Sequence, residues 1–356
     1  MSLTVVSVAY PFAPVTADPA GGAEQVLAQL DRALVRAGHR AQVIAAAGSC
    51  TAGTLTPLPS PAGEITEAHR TALYERLQVL LAGIVRTRSA DLIHLHGLDF
   101  GRYLPPPGVP VLATLHLPID WYDPGALRPG RPGTWLNPVS PDQARRAPPD
   151  IALLPPIPNG VDTEAYRPGP AKEAYALVLG RVAPEKGFHD ALDAARMAGA
   201  PLIAAGRVFP YAAHRRYFET AIAPRLDTMR RWVGPVEGAQ KRRLLAQARC
   251  VLIPSTAPET SSLVAMEALA SGTPVIAFRA GALPEIVTHG TTGLIVDTVA
   301  QMAEAIRTVG AIDPAACRQA ACARFALRHT TDAYLCLLYT SPSPRDRTRS
   351  RMPSSA

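Results

Sequence analysis

The sequence predicts an α/β protein made of two Rossmann-like halves, each a parallel sheet covered by helices. Three observations carry that expectation. Apolar β-branched runs alternate with longer amphipathic runs along most of the chain. The alternation breaks off in a proline-rich stretch, 117–158, and then restarts. The 356 residues suffice for about two domains.

In the first half, LTVVSVAY (3–10) is a strand, continuous in apolar residues as buried parallel strands are. A helix follows from Gly22 to Ala37, with Val26, Leu27, Leu30, Leu34 and Val35 on one face and Gly38 as its terminator. RAQVIAA (40–46) is a strand, 69–88 a second helix, and DLIHLHG (91–97) and PVLATLH (110–116) are short strands. The proline-rich stretch offers one short strand at IALLP, and 159–174 reads as an interdomain linker. In the second half, YALVLGR (175–181), PLIAAGR (201–207), CVLIPS (250–255), TPVIAFR (273–279) and TGLIVD are strands. Helices are expected at 188–199, 241–249, 261–272 and within ALPEIVTHG, and VAQMAEAIRTVG and PAACRQAACARFALR close the half.

Composition narrows the function. Hydrophobic residues are 47% and charged residues 18%, which excludes disorder over the whole chain. No apolar run reaches the roughly 18 residues of a membrane span. The N-terminus lacks a basic region, so no secretory signal is expected. The five cysteines are scattered and form no CxxC, which predicts free thiols rather than disulfides or a zinc site. The net charge is +7, and the last seventeen residues hold four arginines and one aspartate of it. The remaining surplus is too weak to predict nucleic-acid binding, although it favours small anions. Residues 340–356, rich in Ser, Pro and Arg, cannot offset their ordering entropy by burial and are expected to be disordered. The string LLYTSPSPRD…SRMPSSA resembles translated sequencing-adapter sequence, so the tail is taken as non-native and left out of the fold.

In open parallel sheets ligands sit beyond the carboxyl ends of the strands, so the loops after strands are where chemistry is expected. Gly21-Gly22 opens a helix after the first strand, where the backbone can approach an anion closely. It is not GxGxxG, which disfavours a dinucleotide oxidoreductase. In LGRVAPEKG, Arg181 and Lys186 at a strand end could neutralise a diphosphate, and Lys186 is one of only three lysines against 33 arginines. In PSTAPETSSLVAMEALASG, Glu259 precedes a helix and Glu267 lies within it. Amides near Ser262, Leu263 and Val264 could take phosphate oxygens. Glu267 sits among apolar neighbours and needs a partner, which ribose hydroxyls would supply. Each of these positions also has a bland reading: a solvated charge, a loop glycine, a glutamate on a helix rim.

Taken together, the two glutamates in PETSSLVAMEALASGTPVIA, followed by GALPEIV and GTTGLIV, with GRVAPEKG, NGVD (159–162) and GGAE (21–24), resemble the retaining glycosyltransferases of family 4. The resemblance runs in order from residue 3 to about 339. It implies a GT-B fold: an acceptor-side domain over 1–165, a donor domain over 166–325 and a closing segment over 326–339 that returns to the first domain. It implies that Arg181 and Lys186 hold the donor diphosphate, Glu259 the sugar hydroxyls, Ser262, Leu263 and Val264 the phosphates, and Glu267 the ribose. Gly21 and Gly22 would face the diphosphate from the other domain, and His116 would lie near the transferred sugar. His94 and His96, in a buried strand, read as structural, as does His39. Ser261 and Ser262 stand where the family often has an aromatic and a glycine, which leaves the donor sugar open.

The activity implied is sugar transfer from a nucleoside diphosphate, UDP most often, to a hydroxyl acceptor with retention of configuration. No separate cofactor is expected, and no metal, since no Asp-x-Asp pair follows a strand. The acceptor stays open among glycans, lipid-linked glycans and small molecules. A cytoplasmic location is expected, with peripheral contact at the inner membrane face left open, since the stripe Leu73, Leu77, Leu80, Leu81 and Ile84 reads first as core. The alternatives are a nucleotide-sugar epimerase, a phosphorylase, or a nucleotide- or glycan-binding protein without catalysis.

Overall fold

The computed structural model describes residues 2–16, 21–60, 65–209 and 211–340; the expected disordered tail lies outside the described residues except for Thr340. The chain divides into two compact units, one running to Ile157 and resuming at Thr331, the other Pro158–Thr330.

The first unit holds a six-stranded, wholly parallel sheet: β1 (Thr4–Val8), β2 (Arg40–Ala46), β3 (Thr54–Leu58), β4 (Leu92–Leu95), β5 (Val111–Leu115) and β6 (Thr134–Pro138), in the order β3-β2-β1-β4-β5-β6. β1, β4 and β5 are almost wholly buried, as their unbroken apolar runs require. Helix α1 (Gly22–Arg36) starts from Gly21 without a side-chain cap and ends where Gly38, at φ 79°, donates to the Val35 carbonyl. Val35 itself is 39% exposed, not on the apolar face expected of it. Helix α2 (Glu67–Thr87) is capped by Thr66. Its Leu73, Leu77 and Leu81 pack with Ile93, Leu95, Phe100 and Leu115 in the core, with Leu80 and Ile84 against them.

Two strands of this unit carry no apolar run, and both are edges. β3 contains Pro57 and β6 ends on Pro138, and an edge strand can spare the N–H that proline lacks. The strand expected at IALLP is a single bridge, Leu136 to Leu153. The proline-rich stretch is also pinned by side chains. The Arg131 guanidinium donates to the carbonyls of Pro105, Pro106 and Val109 at 2.6–2.9 Å. After β6 a short helix, α3 (Pro141–Arg146), is capped by Ser140 with Pro141 in its first turn.

The second unit repeats the design with β7 (Ala176–Arg181), α4 (Phe188–Ala198), β8 (Leu202–Arg207), α5 (Ala212–Tyr217), β9 (Arg230–Trp232), α6 (Gly238–Gln247), β10 (Cys250–Ile253), α7 (Leu263–Ala270), β11 (Val275–Phe278), α8 (Leu283–Ile286), β12 (Gly293–Val296), α9 (Val299–Thr308) and α10 (Pro314–Arg324). Its parallel sheet has the order β12-β11-β10-β7-β8-β9. β9, three residues long and again an edge, has no signal in the sequence.

The division falls at 157/158 rather than 165/166. The turn Asp162–Tyr166 is held inside the second unit, because Arg318 donates to the carbonyls of Thr163, Tyr166 and Ala270 and Val161 bridges Ala326. The last helix, α11 (Leu327–Thr340), groups with the first unit from Thr331 onward. All five cysteines are free thiols, and burial pushes Cys250 up to about 12.

Candidate functional site

In the second unit the sequence-selected residues gather at the carboxyl ends of β7 and β10. β7 ends on Arg181, whose guanidinium donates to Glu185 Oε1 at 2.9 Å. The turn Pro184–Lys186 follows and docks on the segment after β10, where the Thr256 amide donates to the Glu185 carbonyl at 2.9 Å. Gly187 closes that turn at φ 63°, and a Cβ there would stand 2.1 Å from the Pro254 carbonyl oxygen. Only glycine permits both the left-handed backbone and the close approach.

This docking brings Lys186 Nζ to 2.5 Å from Glu259 Oε1, and Ser255 Oγ donates to the same oxygen. Glu259 is fixed from its backbone too: Ala282 N donates to its carbonyl at 2.7 Å. Gly281, at φ 58°, lies so close that a Cβ would stand 2.2 Å from that carbonyl oxygen. The glutamate is therefore clamped by the loop after β11. Ser262 caps α7 with its hydroxyl, and the amides of Leu263 and Val264 occupy the first turn, where an α-helix offers no internal acceptor.

Glu267 lies within α7. It is fully buried, and its Oε1 accepts from Tyr166 Oη and Lys241 Nζ, each at 2.9 Å. Its Oε1 is thus partnered within the chain. Burial and the neighbouring carboxylate push the Tyr166 phenol up, so it stays a donor. Neither Tyr166 nor Lys241 was singled out by sequence reasoning. The signal available was the scarcity of lysine. Lys186 pairs with Glu259 and Lys241 with Glu267, while Lys172 donates to the carbonyls of Ala246 and Ser271 and to Thr273 Oγ1 at 2.5–3.3 Å.

Gly21, Gly22 and His116 belong to the first unit. Gly21 and Gly22 form the start of α1, and the Glu24 carboxylate folds back over Gly21. His116 follows β5 and meets His96, the residue after β4, with His96 Nδ1 2.9 Å from His116 Nε2. His94 Nε2 contacts Thr114 Oγ1 at 2.8 Å, and Thr114 Oγ1 lies 3.1 Å from Tyr334 Oη of α11. Burial lowers His94 to about 3 and His116 to about 4, so both imidazoles are neutral at physiological pH.

Comparison with known proteins follows this division. Residues 164–321 match the family described as Glycosyl transferases group 1, and residues 20–147 match Glycosyltransferase Family 4. A glycogen synthase of Mycobacterium tuberculosis is 33% identical over 187 residues, 49% of this chain and 43% of that protein. The match thus spans less than half the length of that relative. Among solved structures, AviGT4, a glycosyltransferase involved in avilamycin A biosynthesis, is 27% identical with a TM-score of 0.71, covering 95% of this chain and 98% of its own. Anabaena Alr3699/HepE, solved in complex with UDP-glucose, shares the fold at 20% identity and a TM-score of 0.71, over 95% of this chain and all of its own. One glycosyltransferase family match on each sheet-bearing unit, and the architecture shared with these structures, make the chain a member of the GT-B glycosyltransferases.

Proposed function

We propose that the protein transfers a sugar from a nucleoside-diphosphate sugar, UDP-linked, to a hydroxyl acceptor with retention of anomeric configuration and without a metal. The observation that carries this reading is the Lys186–Glu259 pair beside the α7 N-terminus. The barrier to sugar transfer lies in breaking the anomeric C–O bond while the leaving diphosphate gains charge. Cations and helix amides aimed at that charge lower the barrier. Lys186 and Arg181 each hold a carboxylate, Glu259 and Glu185. A bound diphosphate exchanges these partners, which draws the cations onto phosphate and releases Glu259 to accept from the sugar hydroxyls. The leaving phosphate oxygen takes the acceptor proton, so no protein base is assigned. His116 positions the sugar. The UDP-glucose held by Alr3699/HepE supports the choice of nucleotide.

The test is a thermal-shift panel of UDP, GDP, ADP and NAD with EDTA present, followed by turnover of the matching nucleotide sugars and NMR of the product anomer. A selective rise with UDP, then an anomer-retaining product, is expected. No shift with any nucleoside diphosphate overturns the reading, and inversion overturns the mechanism.

A further inference from the structure

His94 on β4 and His96, the residue just past it, have ring centroids 4.0 Å apart and so stand on one side of the sheet, where His116 meets them from just past the end of β5. The His96 and His116 rings meet edge to edge through His96 Nδ1 and His116 Nε2, with centroids 5.2 Å apart and planes within 18° of each other. His96 is 3% exposed, and among the described residues its Nε2 has no hydrogen-bond partner. Burial keeps all three rings neutral, so each carries one N–H.

The hydrogen-bond directions on the far side are fixed. Asn137 Nδ2 donates to the Pro155 carbonyl, so Asn137 Oδ1 accepts from Tyr334 Oη. Tyr334 then accepts from Thr114, and Thr114 from His94 Nε2. His94 therefore has its proton committed to Thr114 and has none to share with His96.

One proton lies between His96 Nδ1 and His116 Nε2. If His116 gave it, the proton of His96 would stand on Nε2 as a sealed N–H with no acceptor. If His96 gives it, Nε2 is only a bare lone pair. Buried N–H groups without acceptors are the rarer and costlier fault. We propose that His96 is a positioning residue that donates from Nδ1 to His116 Nε2, fixing His116 as the tautomer protonated at Nδ1. His116 then offers its hydrogen bond from one defined nitrogen. The effect on turnover rests on the proposed function, whereas the tautomer does not.

The test uses the full chain labelled with 15N-histidine, with the His116 signals assigned from a His116→Gln variant. The wild type is expected to show His116 protonated at Nδ1. His96→Leu removes the donor and should move His116 to the Nε2-protonated form. His96→Asn places an amide N–H where Nδ1 stood and should keep the wild-type pattern. With UDP-glucose as probe and UDP release as readout, His96→Leu should lower kcat about 10-fold or more with KM changed by less than about 3-fold, and His96→Asn should restore most of it. A wild-type His116 protonated at Nε2 overturns the proposal, as does an unchanged tautomer in a folded His96→Leu. If His96→Leu fails to fold, the wild-type spectrum alone decides. A wild type that releases no UDP tells against the proposed function and leaves the spectrum to judge the tautomer.

Discussion

Lys241 and Glu267 form an ion pair with almost no solvent contact, Lys241 being 8% exposed and Glu267 fully buried. Such a pair contributes little net stability when intact, but removing one partner strands the other charge. Lys241→Met is expected to cost about 3–5 kcal/mol in urea denaturation, and Lys241→Met with Glu267→Met to recover most of that. A single-variant loss under about 1 kcal/mol would show that the carboxylate finds water, against its burial. The partly exposed Lys186–Glu259 pair should respond differently. Lys186→Ala is predicted to change stability by about 1 kcal/mol or less while lowering turnover at least about 100-fold, since its charge acts on the leaving diphosphate. Near-normal turnover of nucleotide sugar by Lys186→Ala would remove this residue from the mechanism.

At the scale of elements, the candidate site is a meeting of loops rather than of regular structure. The turn after β7, the segment after β10 and the loop after β11 converge on Glu259. Gly281 lies against Glu259 itself, with φ 58° and no room for a Cβ beside the Glu259 backbone. Gly281→Ala should therefore cost about 2 kcal/mol or more and displace Glu259, with loss of turnover exceeding the loss of folded protein. Full activity in a folded Gly281→Ala would show that Glu259 tolerates movement. The edge strands make the complementary point. β3 and β9 each pair with one strand only, and β6 has beyond β5 just the single Leu136–Leu153 bridge, so none needs the continuous apolar run that marks β1, β5 or β10. Their short, proline-bearing or arginine-rich segments read as loops until a neighbouring strand supplies the partner.

Over the whole molecule, the buried histidines tie stability to pH. His94 and His116 are held neutral in the fold, at about 3 and about 4, and His96 is lowered likewise; unfolded, each takes a proton near 6.5. Their contribution is complete above pH 6.5 and is lost as pH falls from there toward 4, because the unfolded chain then binds the extra protons. Between pH 7.5 and 5.5 each neutral imidazole forfeits about 1.4 kcal/mol, so unfolding free energy from urea titrations should fall by about 4 kcal/mol. A flat profile over that window would mean the rings protonate without unfolding. Among the described residues no helix is long and apolar enough to cross a membrane, and the apolar stripe of α2 is spent on the core of its unit.

The sequence by itself determined the α/β class, the two-unit plan, nearly every central strand and most helices. Those features follow from local periodicity and from burial on both faces, which leave an unbroken apolar record. It also marked Arg181, Lys186 and Glu259, because glycines and charges at strand ends are unusual in composition as well as in place. Only the tertiary structure decided what these charges touch. Lys186 reaches Glu259 across 73 residues and Lys241 reaches Glu267 across 26, distances at which no local pattern links one charge to another. It likewise decided that Glu267 is an internal partner of Tyr166 and Lys241, and that His96 stands behind His116. An ion pair or a shared proton leaves no periodic trace in a chain, since its energy depends on distance and burial, which exist only once the strands are side by side.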